Sequence, residues 1–217
     1  MESYRLEGQT FVIDDYDRKP AFSSFLPGLA GVKGIPLWTF YTNRGQGMNS
    51  FGIDNKGNAI MEFNSANTAF ENTQVKGFRT FLKIDGEYYE PFFTYEKEAK
   101  RQMRMNKNSF KIIETNEKYG IEVTVNYYVL PNESIGALVR QVSVKNIGDS
   151  AKEVQVIDGL PKIITYGIAN GEFKEMSNLF KSWADIRNLE NKVPYYTLRA
   201  STKDSAEVSD VEVDITI

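Results

Sequence analysis

Apolar and polar residues alternate in short runs along much of this chain. The clearest run is Ile121–Tyr127, in which Ile, Val, Val and Tyr fill one set of alternate positions, and Glu, Thr and Asn fill the other. A strand places alternate residues on opposite faces, whereas an α-helix repeats only about every 3.6 residues. The run therefore predicts a β-strand with one buried face.

Similar runs, rich in β-branched and aromatic residues, recur between short turn sequences. Asp54–Asn58 and Asp85-Gly86 contain Asn, Asp and Gly, which tolerate a positive φ, so each predicts a tight reversal between two strands. Many closely spaced short strands are typical of an antiparallel sandwich or barrel. We therefore predict an all-β fold. The other predicted strands are Thr10–Asp14, Leu37–Thr42, Ser50–Ile53, Ala59–Phe63, Phe78–Ile84, Tyr88–Thr94, Ser109–Glu114, Leu138–Asn146, Glu153–Asp158, Tyr195–Ala200 and Val211–Ile217.

One segment departs from the β pattern. From Phe173 to Leu189 apolar residues recur every third or fourth position, which predicts an amphipathic helix, or two short turns, near Ser177–Leu189. Such a stripe usually faces a core, so we expect Trp183 to be buried rather than to hold a ligand.

No tract rich in Pro, Gly or Ser divides the chain, and we expect one domain over residues 1–217. The last predicted strand, Val211–Ile217, has no polar tail, so we expect a domain truncated at its C-terminal end.

Composition narrows the possible chemistry. The chain has 217 residues, and its 26 Lys and Arg against 29 Asp and Glu give a net charge of −3, which does not favour nucleic acid or anionic lipid as a partner. It has no Cys and no His, so thiolate or imidazole catalysis and ligation are excluded. We expect a cytoplasmic protein with no catalytic residues of its own, no cofactor and no metal, and no apolar stretch is long enough to span a membrane.

The densest group of unusual residues lies between Gly34 and Gly52, where aromatic residues, amides, glycines and one Arg occur together. A saccharide offers flat C–H faces and many hydroxyls, so its site combines aromatic platforms with fixed amide, carboxylate and guanidinium groups. This inventory predicts a saccharide site in and around the loop Asn43–Asn49. The residues that we expect to contact the sugar are Tyr41, Asn43, Arg44, Gln46, Asn49 and Glu62.

Simpler interpretations of the same residues stay open. Trp38 and Phe40 share one strand face and fit a core, and the residues from Asn43 to Gly47 fit a glycine-rich turn. Alternation also fits Glu62 on a solvated face. The glycines do not form a phosphate loop, because the spacing and the strand-turn-helix context are missing.

Two charged segments are interpreted as parts of the protein surface and not as functional sites. The acidic group Asp14, Asp15 and Asp17 is interpreted as a polar strand end. The mixed run Glu96–Arg104 is interpreted as a solvated face or a short helix, because alternating charge signs usually lie in solvent.

Several sequence segments resemble the opening of cellobiose-phosphorylase-type glycoside phosphorylases, especially the β-1,2-oligoglucan phosphorylase branch. The likeness extends over nearly the whole chain. Its segments are Phe25–Gly31, Gly34–Trp38, Tyr41–Gln46, Phe51-Gly52, Met61–Phe63, Gly77–Phe81, Val139–Asn146, Asp158–Pro161 and Tyr166-Gly167.

The resemblance implies an N-terminal antiparallel supersandwich of galactose-mutarotase-like topology. In that family an (α/α)6 barrel follows, in which inorganic phosphate cleaves a β-glucosidic bond with inversion and an Asp acts as the acid. The resemblance implies that the barrel and its Asp are missing here. We therefore expect a non-catalytic, carbohydrate-binding accessory domain whose partners are a β-glucan oligosaccharide, the barrel and a possible second copy. The alternatives are a docking or dimerisation domain that touches no sugar, and an autonomous hydrolase or epimerase that relies on Asp or Glu.

Overall fold

The structure is a computed structural model that describes residues 3–26, 28–93 and 98–198. The described residues form two compact units, which divide between Asn170 and Gly171, and each unit is described by itself. The predicted strand Val211–Ile217 lies outside the described residues. The expectations of one domain and of a truncated end stay predictions.

The first unit is built almost entirely from strands. The described residues contain 3₁₀ turns at Tyr16–Arg18 and Lys56–Asn58 in the first unit and at Leu189–Asn191 in the second. The strands of the first unit are β1 Tyr4–Glu7, β2 Thr10–Asp14, β3 Ser23–Leu26, β4 Leu29–Ala30, β5 Ile35–Thr42, β6 Met48–Ile53, β7 Ala59–Met61, β8 Arg79–Ile84, β9 Glu87–Tyr89, β10 Lys100–Met105, β11 Ser109–Asn116, β12 Ile121–Val129, β13 Leu138–Asn146 and β14 Val154–Gly159, and its helix is α1 Ala66–Lys76.

These strands form three sheets in which every described pairing is antiparallel. The largest has six strands in the order β1-β2-β10-β11-β12-β13. A second has the order β3-β5-β6-β7, with β4 paired to β5, and a third has the order β14-β8-β9. Within the described residues, β13 and β14 are therefore edge strands of two different sheets.

One hydrophobic core joins the three sheets. The inward face of the six-stranded sheet contributes Phe110 and Tyr127, and both are fully buried. The Phe110 ring stacks on Tyr41 of β5 and on Tyr127 of β12, with ring centroids 4.7 Å apart in each pair. Leu82 of β8 belongs to the same core. The prediction of an all-β, antiparallel sandwich is confirmed.

The clearest predicted strand lies in the interior of the six-stranded sheet. β12 contains the predicted run Ile121–Tyr127 and alternates between buried and partly buried positions. Asp54–Asn58 connects β6 to β7, and Asp85-Gly86 connects β8 to β9, so both predicted reversals are confirmed. The strand predicted at Tyr88–Thr94 is shorter, because β9 ends at Tyr89.

The run Glu96–Arg104 was interpreted as a solvated face or a short helix. This interpretation is wrong for residues 98–104, which the structure describes. Lys100–Met105 is strand β10 and lies between β2 and β11. Arg101 is 3% exposed, and its guanidinium donates to Asp17 at 2.6 Å and to Glu114 at 2.5 Å. Asp17 is accordingly a buried ion-pair partner rather than a polar strand end. A buried charge is tolerated when it is paired and hydrogen-bonded, which a residue pattern does not reveal.

Helix α1 was not predicted, and the reason lies in its composition. Only Ala69 and Thr73 are buried along its length, so the helix has no apolar stripe of the usual width. Thr73 is anchored by polar contacts, since its hydroxyl lies 3.1 Å from that of Thr42 in β5. The fold therefore contains one more helical segment than expected.

The second unit contains α2 Asn170–Trp183, whose first residue closes the first unit, followed by β15 Ala184–Arg187 and β16 Tyr195–Leu198. The predicted stripe is real, since Phe180 stacks parallel to Phe173 and edge-on to Trp183. The predicted boundaries are wrong, because the helix starts earlier and the chain turns into β15 after Trp183. Met176 has non-helical backbone angles and kinks α2.

Candidate functional site

The loop between β5 and β6 holds the centre of the predicted saccharide site. Its backbone closes on itself, because Thr42 N–H donates to the Gly47 carbonyl at 2.8 Å and Gly47 N–H donates to the Arg44 carbonyl at 2.9 Å. Gly47 has a φ of +80°, and a Cβ there would lie 2.7 Å from Cε2 of Phe110. Glycine is required at this position by both the backbone angle and the core ring beneath it.

Asn43 lies at the base of this loop and is completely buried. Its side-chain oxygen accepts from Phe22 N–H at 2.9 Å, and its amide donates to the carbonyls of Tyr16 and Pro20 at 2.9 and 3.0 Å. The Asn43 side chain therefore joins the segment before β3 to the β5–β6 loop. All of these polar groups are occupied by the protein framework.

Tyr41 and Asn49 are also interior residues. The Tyr41 hydroxyl donates to the Met105 sulfur at 3.4 Å, and burial raises the pKa of Tyr41. The Asn49 amide donates to the Thr73 hydroxyl of α1 at 3.1 Å, while its buried carbonyl oxygen accepts no hydrogen bond from the described residues. Both side chains fix the sheet against its neighbours.

Arg44 and Glu62 are the partly exposed members of the predicted set. The Arg44 guanidinium donates to the carbonyls of Asn43 and Lys19 at 2.8 and 3.2 Å, and it lies 5.9 Å from the centre of the Phe70 ring. Glu62 follows directly after β7. The structure therefore does not gather the six predicted residues around one cleft.

Gln46 points in a different direction and joins a polar cluster between the two edge strands. Its amide donates to the Thr80 hydroxyl of β8 at 3.0 Å, and its carbonyl oxygen accepts from Arg140 of β13. The Thr80 hydroxyl in turn donates to Oδ1 of Asp158 in β14 at 2.6 Å. We call Gln46, Thr80, Arg140 and Asp158 the Arg140 cluster.

Arg140 holds this cluster together. One terminal nitrogen donates to the Asp158 carboxylate, and Nε donates to the Tyr127 hydroxyl at 3.1 Å. The guanidinium also lies 4.9 Å from the centre of the Phe78 ring, so it is stacked as well as paired. Because the guanidinium is planar and its donors point in fixed directions, these contacts fix the orientation of the carboxylate.

The cluster is buried on one side and accessible on the other. The Arg140 side chain is only 8% exposed, whereas that of Asp158 is 30% exposed. Beneath them Tyr127 is fully buried, and burial raises the pKa of its hydroxyl to about 12, although Arg140 opposes this effect. The Asp158 carboxylate is therefore held in a fixed orientation and is partly exposed to solvent, while the Tyr127 ring beneath the cluster is buried.

This arrangement can bind a ligand that carries hydroxyl groups. An accessible carboxylate next to an amide and a guanidinium accepts hydrogen bonds from vicinal hydroxyls in fixed directions. Among the described residues, no group of three or more His, Cys, Asp or Glu side chains is placed to hold a metal ion.

Gln46 is one of the predicted site residues, whereas Arg140, Thr80 and Asp158 were not predicted. A signal for Arg140 was present, because it occupies an inward position of β13 that alternation assigns to an apolar residue, between Leu138 and Val142. A charge in an inward series indicates a buried pair or a site. Thr80 and Asp158 carry no comparable signal, since they meet Gln46 only through the sheet pairing.

No protein-family model matches this chain, and no curated protein is significantly similar to it. In the part of the chain that the structure describes, no helix is long and apolar enough to cross a membrane.

Proposed function

We propose that this chain is an accessory carbohydrate-binding domain of a glycoside phosphorylase, that it does not carry the catalytic step, and that its ligand is a neutral β-glucan oligosaccharide. The observation that carries the binding proposal is the Arg140 cluster, in which the accessible Asp158 carboxylate is held by Arg140 and Thr80. The phosphorylase assignment and the cytoplasmic location rest on the sequence resemblance and the composition.

The geometry supports a hydroxyl-rich ligand on two grounds. First, Arg140 and Thr80 hold the partly exposed Asp158 carboxylate in place, and the buried Gln46 amide supports both of them, so a ligand does not have to order the carboxylate. Second, the paired charges of Arg140 and Asp158 leave no excess charge in the cluster, which favours a neutral ligand over a phosphate. We expect weak binding, because Asp158 is the only member of the cluster whose side chain is substantially exposed.

Chemical-shift titration of the isotope-labelled full chain with sophorose and, separately, inorganic phosphate tests this proposal. We expect saturable shifts from sophorose at the Gln46 side-chain amide and at Arg140 Nε–H, and none from phosphate. Asp158→Asn removes the charge but keeps the shape, and should weaken sophorose binding about tenfold or more. Glu153→Gln is the matched control, since Glu153 is exposed and lies outside the cluster. Equal binding by wild type and Asp158→Asn would contradict the proposal.

A second candidate function, docking to a catalytic barrel domain or to a second copy, is favoured by a specific surface. Phe81 of β8 lies directly opposite Ile157 of β14, and Tyr88 of β9 lies opposite Lys83 on the same face. Phe81, Tyr88 and Ile157 are 38%, 79% and 74% exposed. Three large apolar side chains on one open sheet face are typical of a surface that another protein covers.

Sedimentation over a range of protein concentrations tests docking between copies. If this face forms a dimer, the average mass rises with concentration, and Ile157→Ser abolishes the rise. Val32→Ser is a matched control, because Val32 is 69% exposed but lies outside this sheet. A monomer at all concentrations would restrict this candidate to docking with the barrel.

A further inference from the structure

A groove opens on the six-stranded sheet, on the face opposite to the Arg140 cluster. Consecutive residues of a strand point to opposite faces, so Tyr127 points inward to Arg140 while Tyr128 points outward. The groove encloses about 400 Å³, which is within the usual range for small-ligand sites. Its main lining residues are Leu29, Asn108, Ser109, Asn126, Tyr128 and Pro131.

The floor of the groove is set by sheet pairing. Tyr128 of β12 lies directly opposite Ser109 of β11, and Asn126 lies one outward position further along β12. On the other side of β12, Asn126 lies opposite Gln141 of β13. A phenol ring, a hydroxyl and two carboxamides therefore lie on adjacent strands of one rigid surface.

The wall of the groove is fixed as firmly as its floor. Gly31 N–H donates to the Leu130 carbonyl at 3.1 Å, and Val32 N–H donates to the Glu133 carbonyl at 2.6 Å. Gly28 packs so closely on Val129 that a Cβ there would lie 2.5 Å from Cγ2. The apolar side of the groove is thus held by backbone contacts and does not depend on a ligand.

The polar groups of the floor are available to a ligand. Within the described parts of the chain, neither the Asn126 carboxamide nor the Tyr128 hydroxyl has a hydrogen-bond partner, and both residues are partly buried. Both groups reach solvent, so a ligand that bonds to them displaces water and not a protein partner. No charged side chain lines the groove itself, and Lys111, which lies opposite Asn126 on β11, lies outside the lining. The lining therefore favours a neutral ligand.

We propose that this groove is a second carbohydrate site, which binds one or two neutral sugar rings. The Tyr128 ring and the apolar wall would meet the C–H face of the sugar, and the carboxamides of Asn126 and Asn108 would hydrogen-bond to its hydroxyls. The site goes beyond the function proposed for the Arg140 cluster, since it uses different residues on the opposite face of the sheet.

The test is a titration of the isotope-labelled full chain with cellobiose, followed at the side-chain amides of Asn126, Asn108 and Gln46. We expect saturable shifts at Asn126 and Asn108. Asn126→Ala should weaken this binding about fivefold to tenfold, because it removes hydrogen bonds to the sugar. Tyr128→Ala should weaken it by more, because it removes the ring that packs on the sugar. Thr124→Ala is the matched control, since Thr124 points to the same face of β12 one outward position from Asn126. Tyr128→Phe keeps the ring and should retain most of the binding if folding is intact.

The outcome also separates this inference from the proposed function. Asp158→Asn should leave the shifts at Asn126 unchanged, whereas Asn126→Ala should leave those at Gln46 unchanged. Shifts at Gln46 with none at Asn126 would overturn the second site and keep the first. The absence of saturable shifts at Asn126 in the wild type overturns the inference in every case.

Discussion

The Arg140 guanidinium donates to the Asp158 carboxylate and thereby connects β13 and β14, which are edge strands of two different sheets. Gln46 lies in the loop between β5 and β6, which belong to the remaining sheet, and its carbonyl oxygen accepts from the same guanidinium. One buried cation therefore joins all three sheets of the first unit at the place where their polar groups reach solvent. The candidate site and the fold depend on the same residue.

Neutralising Glu114, the buried carboxylate that pairs with Arg101, should strongly destabilise the fold. Glu114 accepts hydrogen bonds from Arg101, from the Tyr89 hydroxyl and from Phe92 N–H, and it is 1% exposed. Glu114→Gln leaves Arg101 with less compensation in the interior, and we expect a loss of about 3 to 5 kcal/mol in the free energy of unfolding. Urea unfolding measures it.

The control for this change is the exposed pair Lys100–Glu117, in which both side chains are 74% exposed. Glu117→Gln should have little effect on stability, because solvent screens exposed ion pairs. Equal losses for the two variants would show that the buried ion pairs of Arg101 with Asp17 and Glu114 do not stabilise the fold.

The Tyr127 hydroxyl should make stability depend on alkaline pH. Burial raises its pKa to about 12 in the folded chain, whereas the unfolded value is about 10. Because the folded pKa is the higher one, the stabilising contribution is complete below about pH 10 and is lost as the pH rises toward the folded pKa. Tyr127→Phe should reduce the slope of unfolding free energy against pH by at most about 1.4 kcal/mol per pH unit. An unchanged slope would contradict a buried, protonated Tyr127.

The β5–β6 loop should not accept a side chain at Gly47. Gly47→Ala combines an unfavourable φ with a contact at 2.7 Å to Phe110, whereas Gly86→Ala at a φ of +93° meets open space. We expect the Gly47 variant to lose about 2 to 4 kcal/mol, and the Gly86 variant only the cost of the backbone angle, about 1 kcal/mol. Thermal unfolding of the pair separates the packing effect from the backbone effect.

Asn43 should prove to be a structural residue despite its place in the predicted sugar loop. Its amide and oxygen bind three backbone groups in the interior, and Asn43→Ala leaves these groups unpaired. A loss of about 2 to 4 kcal/mol is expected. Arg44→Ala should lose less, since its guanidinium is partly exposed and water replaces its contacts. Denaturant midpoints of both variants measure the difference, and a larger loss for Arg44→Ala would reverse this assignment.

Much of the fold followed from periodicity, because alternate burial is a local consequence of strand geometry. β2 and β13 occupy the predicted ranges, Thr10–Asp14 and Leu138–Asn146. Strand β10 was not predicted, because a charged residue, Arg101, occupies one of its buried positions and is paired there with Glu114 and Asp17. Helix α1 was not predicted, because Thr73 is held by hydroxyl contacts and the helix has no apolar stripe.

The candidate site was predictable only in part. Gln46 was predicted from its residue type and its flanking glycines, but its partners lie far away in sequence. Arg140 and Thr80 meet it because β13 and β8 approach the same loop, which depends on sheet order. Asn43 and Asn49 were indistinguishable from ligand-binding amides, since burial decides their role and residue type does not report burial.

The most direct test of the central claim is calorimetric titration of sophorose into the wild type and into Arg140→Lys. Lysine keeps the positive charge but loses the planar fork that fixes Asp158 and Gln46. The account predicts measurable, saturable binding by the wild type and a loss of about tenfold or more in Arg140→Lys that remains folded by circular dichroism. Equal affinities in the two proteins, or no binding by the wild type, would contradict it.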